Sequence, residues 1–291
     1  MNYILLLGAG FSRNWGGWLT TEAFEYLLGC QEIKQNDYLK SLLWKHNKIG
    51  GGFEAALAEV QTAWIQDLQQ RNFDPRYYSH VKDHLDKFQI ALEQMFKNMN
   101  KAFSALPDWE FQNDVKYMVR SFLMKFDAIF TLNQDLLLET HYLNDNILLG
   151  SSGKWNGWQI PGMRHAVNQY HAYGSSAPVT KCVPDHNNFK IRSNLQPYFK
   201  LHGSSEWRDG GTADLLIMGG NKGNAIQSHE ILKWYHQEFW SSLAKPVTRL
   251  MVIFPAELRI PAWCRSRRCC PPLLVWWVRV AGSCWRLALS H

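Results

Sequence analysis

The sequence contains no Cys-x-x-Cys pair, which argues strongly against a four-cysteine zinc ribbon. Two of its cysteines, Cys30 and Cys182, lie in the body, while Cys264, Cys269, Cys270 and Cys284 crowd the end. No basic leader precedes the short apolar start, so neither a secretory signal nor a disulfide framework is expected. No stretch offers the roughly 20 uninterrupted apolar residues of a membrane helix. The expected location is the cytoplasm. A Gly-x-Ser-x-Gly nucleophile elbow is also missing, as is any repeat of fixed period. Net positive charge is scarce over most of the length. Residues 255–291 hold six Arg (259, 265, 267, 268, 279 and 286) and one acid, Glu257, a balance of +5. Of the total +6, only +1 remains for the 254 residues before them, so the body carries no nucleic-acid footprint.

What is present describes a large folded domain. The chain has 291 residues, 46% hydrophobic and 19% charged, enough for one α/β domain with a sizeable insert. It begins with the apolar run Tyr3-Ile4-Leu5-Leu6-Leu7, which reads as a strand buried on both faces. The run stops at Gly8-Ala9-Gly10-Phe11-Ser12-Arg13. Glycines there allow a tight turn and bring backbone N–H groups close to a phosphate, and Ser12 can cap a helix or bond a phosphate oxygen. An ordinary strand-to-loop turn remains the alternative, because Gly-x-Gly-x-x-Gly is not completed. The acid-ending second strand of the dehydrogenase fingerprint does not follow about 20 residues on.

Helices are expected over Glu22–Leu28, with Gly29 as its stop, and from Phe53, where Phe53, Leu57, Val60, Trp64 and Leu68 share a face. Another follows Pro75, with Tyr78, Val81, Leu85, Phe88, Leu92, Met95, Met99 and Phe103 in one stripe. Together these form a helical hairpin inserted at about 53–105, and both stripes read as core. A helix through Phe111–Phe122 leads to a strand at Ala128–Thr131 and the turn Leu132-Asn133-Gln134-Asp135. Residues 144–194 read as long loops. Strands follow at Pro197–Leu201, Leu215–Met218 and Val247–Phe254, with a helix over Ile226–Leu243. The alternation predicts an α/β fold: a Rossmann-like, mainly parallel sheet with helices on both faces. Several strands end in small or polar residues (Gly8-Ala9-Gly10, Asn133/Asp135, His202-Gly203, Gly219-Gly220), and such ends gather along one crevice.

Three of these stretches, Gly8-Ala9-Gly10-Phe11-Ser12, Thr131-Leu132-Asn133-Gln134-Asp135 and Lys200-Leu201-His202-Gly203-Ser204, occur in the order that resembles the bacterial sirtuin-like (SIR2-like) domain family. Asn221-Lys222 and Leu250–Ile253 are similar to its later section, so the resemblance spans about residues 3–254. It implies an enzyme that binds NAD and breaks the nicotinamide–ribose bond. By that analogy Asn133 and His202 are the catalytic residues. Gly8, Ala9, Gly10, Ser12, Arg13, Thr131, Asp135 and Gly203 surround the NAD, with a surface ion pair as the alternative for Arg13. The chemistry suits these groups. Nicotinamide departs neutral from a cationic ring and needs no general acid. An amide can orient it, a carboxylate favours positive charge developing on the ribose, and a histidine takes a proton from the acceptor.

Without zinc-ribbon cysteines, water is the expected acceptor. The resemblance then implies an NAD glycohydrolase, an activity associated in bacterial relatives with anti-phage defence by NAD depletion. No metal is expected. The expected partners are NAD, a homo-oligomer or an operon-encoded defence protein. Alternatives are a module that binds NAD or ADP-ribose without turnover, and a protein deacylase. Asn133 and Asp135 could also merely cap the following helix. His80 and His84 stand i, i+4 but lack the Glu of a metalloprotease, and read as a solvated face. The last section departs from the family, which continues here into Gly-Tyr-Ser-Phe followed by an Asp and a His. Residues 255–291 instead crowd together four Trp, four Cys and six Arg. That change of usage reads as a shifted reading frame, with a basic amphipathic membrane or partner segment as the alternative.

Overall fold

The alternating exposure of one apolar strand to two different cores organises this protein. In a computed structural model, residues 2–70, 79–106, 119–143, 154–166, 181–211, 214–255 and 273–279 are described. The opening run forms β1 (Asn2–Leu7). A succession of helices follows: α1 (Ala9–Arg13), α2 (Thr20–Gly29), α3 (Gln31–Lys34), α4 (Asp37–Lys48), α5 (Gly52–Gln70), α6 (His80–Ser104) and α7 (Val119–Leu123). Then come β2 (Ala128–Thr131), α8 (Leu137–His141), β3 (Trp158–Gln159), β4 (Met163–Ala166), β5 (Lys181–Pro184), β6 (Gln196–Lys200), β7 (Gly203–Arg208) and β8 (Asp214–Leu216). The chain continues through α9 (Lys222–Gln227), α10 (Glu230–Ala244), β9 (Thr248–Pro255) and β10 (Leu273–Arg279).

The main sheet has the order β10-β9-β1-β2-β6-β3. All its pairings are parallel except that of β10 with β9. In β1, Leu5 and Leu7 join Ile129, Tyr198, Met251 and Ile253 beneath the helical layer α2–α8. Ile4 and Leu6 join Phe130, Phe199, Leu250 and Val252 against α10 on the other face. A strand covered on both faces has no polar side to show, which is why these strands are continuously apolar. The expected α/β fold with a mainly parallel, helix-flanked sheet is therefore present.

Several expectations are corrected. The hairpin expected at 53–105 is α5 with α6, but α3 and α4 also lie between β1 and β2, so the helical layer is broader. Residues 144–194 are not simply loops. Their described part contains β3, β4 and β5, and the last two join β7 and β8 in a second sheet of order β4-β5-β7-β8. The polar stretch after His202 starts a further strand, β7. The helix expected over Ile226–Leu243 is two, divided at Ser228-His229. Tyr78 and the expected Phe111–Met118 part of the preceding helix lie outside the described residues. Part of the atypical tail, β10, pairs with β9 from Leu273 opposite Pro255 to Arg279 opposite Arg249. No helix among the described residues is long and apolar enough to cross a membrane.

Candidate functional site

Parallel strands all leave the sheet at the same edge, so the residues after β1, β2 and β6 meet there. At the end of β1 the Gly8 N–H donates to the Ile253 carbonyl of β9 (2.9 Å), and α1 begins at once. At the end of β2 the Thr131 hydroxyl donates to the Leu7 carbonyl (3.3 Å) and accepts the Asn133 N–H (3.0 Å). This brace fixes the turn, and the Asn133 amide in turn donates to Ser12 Oγ (2.9 Å). After β6, the Leu201 N–H donates to the Thr131 carbonyl (2.9 Å), and His202 follows.

A cavity of about 290 Å³ opens between these ends, lined by Gly8, Ala9, Asn133, Asp135 and His202. Its apolar walls include Trp18 from the loop before α2 and Phe53, Met95 and Met99 from α5 and α6. The two helical stripes read as pure core thus supply part of the cavity too. Larger cavities of about 520 and 380 Å³ lie elsewhere. Only the smaller one collects the three strand-end motifs.

The other expected site residues stand behind this cavity rather than in its lining. Gly10 and Ser12 are buried within α1, and Ser12 reaches the site only through Asn133. Arg13 is exposed and makes the alternative ion pair, with Glu22 (2.6 Å). Thr131 is a brace, as above. Gly203 has φ +73°, and a Cβ there would stand 2.0 Å from the Leu215 carbonyl oxygen, so this position admits only glycine without backbone movement. Its part is to let the chain turn from His202 directly into β7. Gly219 and Gly220 pack against Gln61 and Ala58 of α5, away from the cavity.

The electrostatics divide the polar groups. Burial, helped by the nearby Lys222 and His236, pushes the His202 imidazole down to about 3, so it is neutral at pH 7. Asp135 is buried and its carboxylate accepts the Leu137 N–H (3.1 Å), the capping role given as its alternative. Beneath it, the fully buried Lys200 donates to the Asp135 carbonyl and pairs with Glu139, whose other oxygen accepts from the Tyr198 hydroxyl (3.3 Å). Burial raises the Glu139 carboxyl, and Lys200 opposes that rise.

Four contributors are not among the expected site residues. Lys222 and Glu54 both line the cavity and pair with each other, joining α9 to α5. Asn100, a buried polar residue on α6, accepts the Leu136 N–H and donates to Ser205 Oγ (both 3.0 Å), tying the helical layer to the turn after β2. A polar residue interrupting an apolar helical stripe is a signal that could have found it. Gly17 donates its N–H to the Ser12 carbonyl (2.9 Å), and a Cβ there would stand 2.7 Å from Ser12 atoms. His84 is also not on a solvated face: it meets Asn36 (2.9 Å) and stacks on Tyr38.

Chemically, the cavity presents a neutral imidazole, an amide, a carboxylate and an ion pair within apolar walls, and among the described residues neither Ser nor Cys lines it. It suits charge stabilisation better than a Ser or Cys acyl-enzyme. Among the described residues no group of three His, Cys, Asp or Glu is placed to hold a metal ion. Compared with known proteins, the chain matches no family model and no curated sequence.

Proposed function

We propose that this protein hydrolyses the nicotinamide–ribose bond of NAD, giving nicotinamide, ADP-ribose and a proton. The observation that supports this is the convergence of Gly8-Ala9, Asn133, Asp135 and His202 on one cavity, from segments far apart in sequence. In this reading water attacks the ribose carbon as nicotinamide leaves with the bonding electron pair. The neutral His202 ring accepts the proton of that water. The Asn133 amide, held by Ser12, orients the nicotinamide end, and the Asp135 carboxylate favours positive charge spreading over the ribose. A cavity of about 290 Å³ lies at the small end of ligand sites, so it takes the reacting end and leaves much of the dinucleotide outside. A role in defence by NAD depletion rests on the family resemblance alone.

One observation favours a second reading, binding without turnover. A histidine held near 3 is a weak base at neutral pH, well below the value that suits a general base. The negative phosphates of a bound dinucleotide would counter Lys222 and restore part of its basicity.

Following nicotinamide release from NAD by the purified protein separates the two readings. His202→Ala and Asn133→Ala are each expected to lower the rate by about 100-fold or more. NAD or ADP-ribose binding with no release supports the second reading, and full release by both variants overturns the site.

A further inference from the structure

The cavity of about 520 Å³ is built on the opposite end of β6. Its wall β3 pairs with Gln196 and Pro197, the first residues of that strand, whereas the candidate site follows its last residue. Arg164, Lys190 and Arg192 all line it, and among the described residues no Asp or Glu does. None of the three makes an ion pair among the described residues. In a body whose charge is nearly balanced, three such cations around one concavity create a local positive field.

The walls are tied in place. The Gln159 side chain donates to the Arg192 carbonyl (3.3 Å) and accepts the Arg192 N–H (3.2 Å). The Asn156 N–H donates to the Asn194 carbonyl (2.9 Å), and the Asp185 N–H to the Gly162 carbonyl (2.8 Å). Asn156 and Asn188 add polar groups to the lining, and Trp158 adds a half-buried aromatic one.

We propose that this cavity is a second ligand site, for a small phosphate-bearing molecule of the nucleoside phosphate class. Guanidinium groups match phosphate oxygens in pairs, and an indole offers a base a face to stack on. A concave site on a near-neutral body fits a small anion, whereas an extended polyanion would need a basic stripe across the surface. This site is independent of NAD cleavage and stands or falls without it.

The test is calorimetric titration of the full chain with ADP, AMP, inorganic phosphate and adenosine. ADP is expected to bind more tightly than AMP or phosphate, and adenosine least. Arg164→Ala and Arg192→Ala, both at exposed positions, should each weaken ADP binding roughly tenfold. His202→Ala and Asn133→Ala should leave it unchanged. No ADP binding by the wild type at millimolar concentration overturns the proposal. So does equal binding of adenosine, or binding lost in the His202 and Asn133 variants but kept in the arginine variants.

Discussion

Replacing Lys200 by Met tests how the turn after β2 is supported. Lys200 is fully buried, and its ammonium meets the Asp135 carbonyl and the Glu139 carboxylate, whose side chain keeps 17% of its exposure. Removing one partner of a buried pair typically destabilises by about 3–5 kcal/mol, because the other charge is left uncompensated. The residual exposure of Glu139 places the expected loss near the lower end, about 3 kcal/mol at pH 8. The pH dependence has a definite sign. Burial raises the folded Glu139 carboxyl above its ordinary 4.5, so the folded state holds that proton more tightly than the unfolded chain. Stability from such a group is fully present below the unfolded value and is lost as pH rises through the raised one.

Without Lys200 the rise is larger, and Glu139 can become neutral in mild acid. At pH 5 the loss should therefore shrink to about 1–2 kcal/mol, left mainly by the Asp135 carbonyl without its Lys200 donor. Urea unfolding followed by tryptophan fluorescence at the two pH values measures both losses. Combining Lys200→Met with Glu139→Leu should recover much of the stability, because neither buried charge remains. A loss below about 1 kcal/mol at pH 8, the worth of an exposed pair, would refute the buried-pair account. So would a loss as large at pH 5 as at pH 8.

Gly203→Ala should destabilise by about 3 kcal/mol or more, combining positive-φ strain with overlap on the Leu215 carbonyl. Gly210→Ala, at φ +101° with open space around it, should lose only about 1 kcal/mol, and equal losses in the two unfolding curves would show that the Leu215 contact is irrelevant. The His202 ring should stay neutral through pH 6–7 and titrate near 3 in the ligand-free protein, as followed by NMR of its ring proton. Because its folded value is depressed, its stabilising contribution is present above about 6.5 and is lost as pH falls toward 3. A midpoint near 6.5 would contradict the burial argument.

The main sheet was readable because strands covered on both faces must be apolar throughout. Ala128–Thr131 is bounded in the structure as in the sequence. The second sheet was not, since β4 and β5 are too short to show a period. In β7 only Gly203, Ser204 and Trp207 are buried, which leaves no clean alternation. The site divides in the same way. Gly8, Asn133, Asp135 and His202 follow strand ends, and parallel topology alone brings such positions together. Residue type could not separate a lining group from a support. Ser12 and Thr131 are polar and adjacent to the site, yet both are spent on hydrogen bonds that hold Asn133. Lys222 and Glu54 lie 168 residues apart, and only the packing of α9 near α5 brings them together.

Among the described residues, the tail joins the main sheet as β10. β10 pairs only with β9, and β9 lies between it and β1. β9 packs beside α1 and accepts the Gly8 N–H at the Ile253 carbonyl, and Ile253 precedes the change of amino-acid usage. Asn133, Asp135 and His202 follow β2 and β6, on the far side of β1. Leu250, Met251, Val252 and Ile253 are all buried, and an apolar strand left uncovered at a sheet edge invites pairing with another chain. The described part of the tail, β10, therefore bears on how that edge of the sheet is closed.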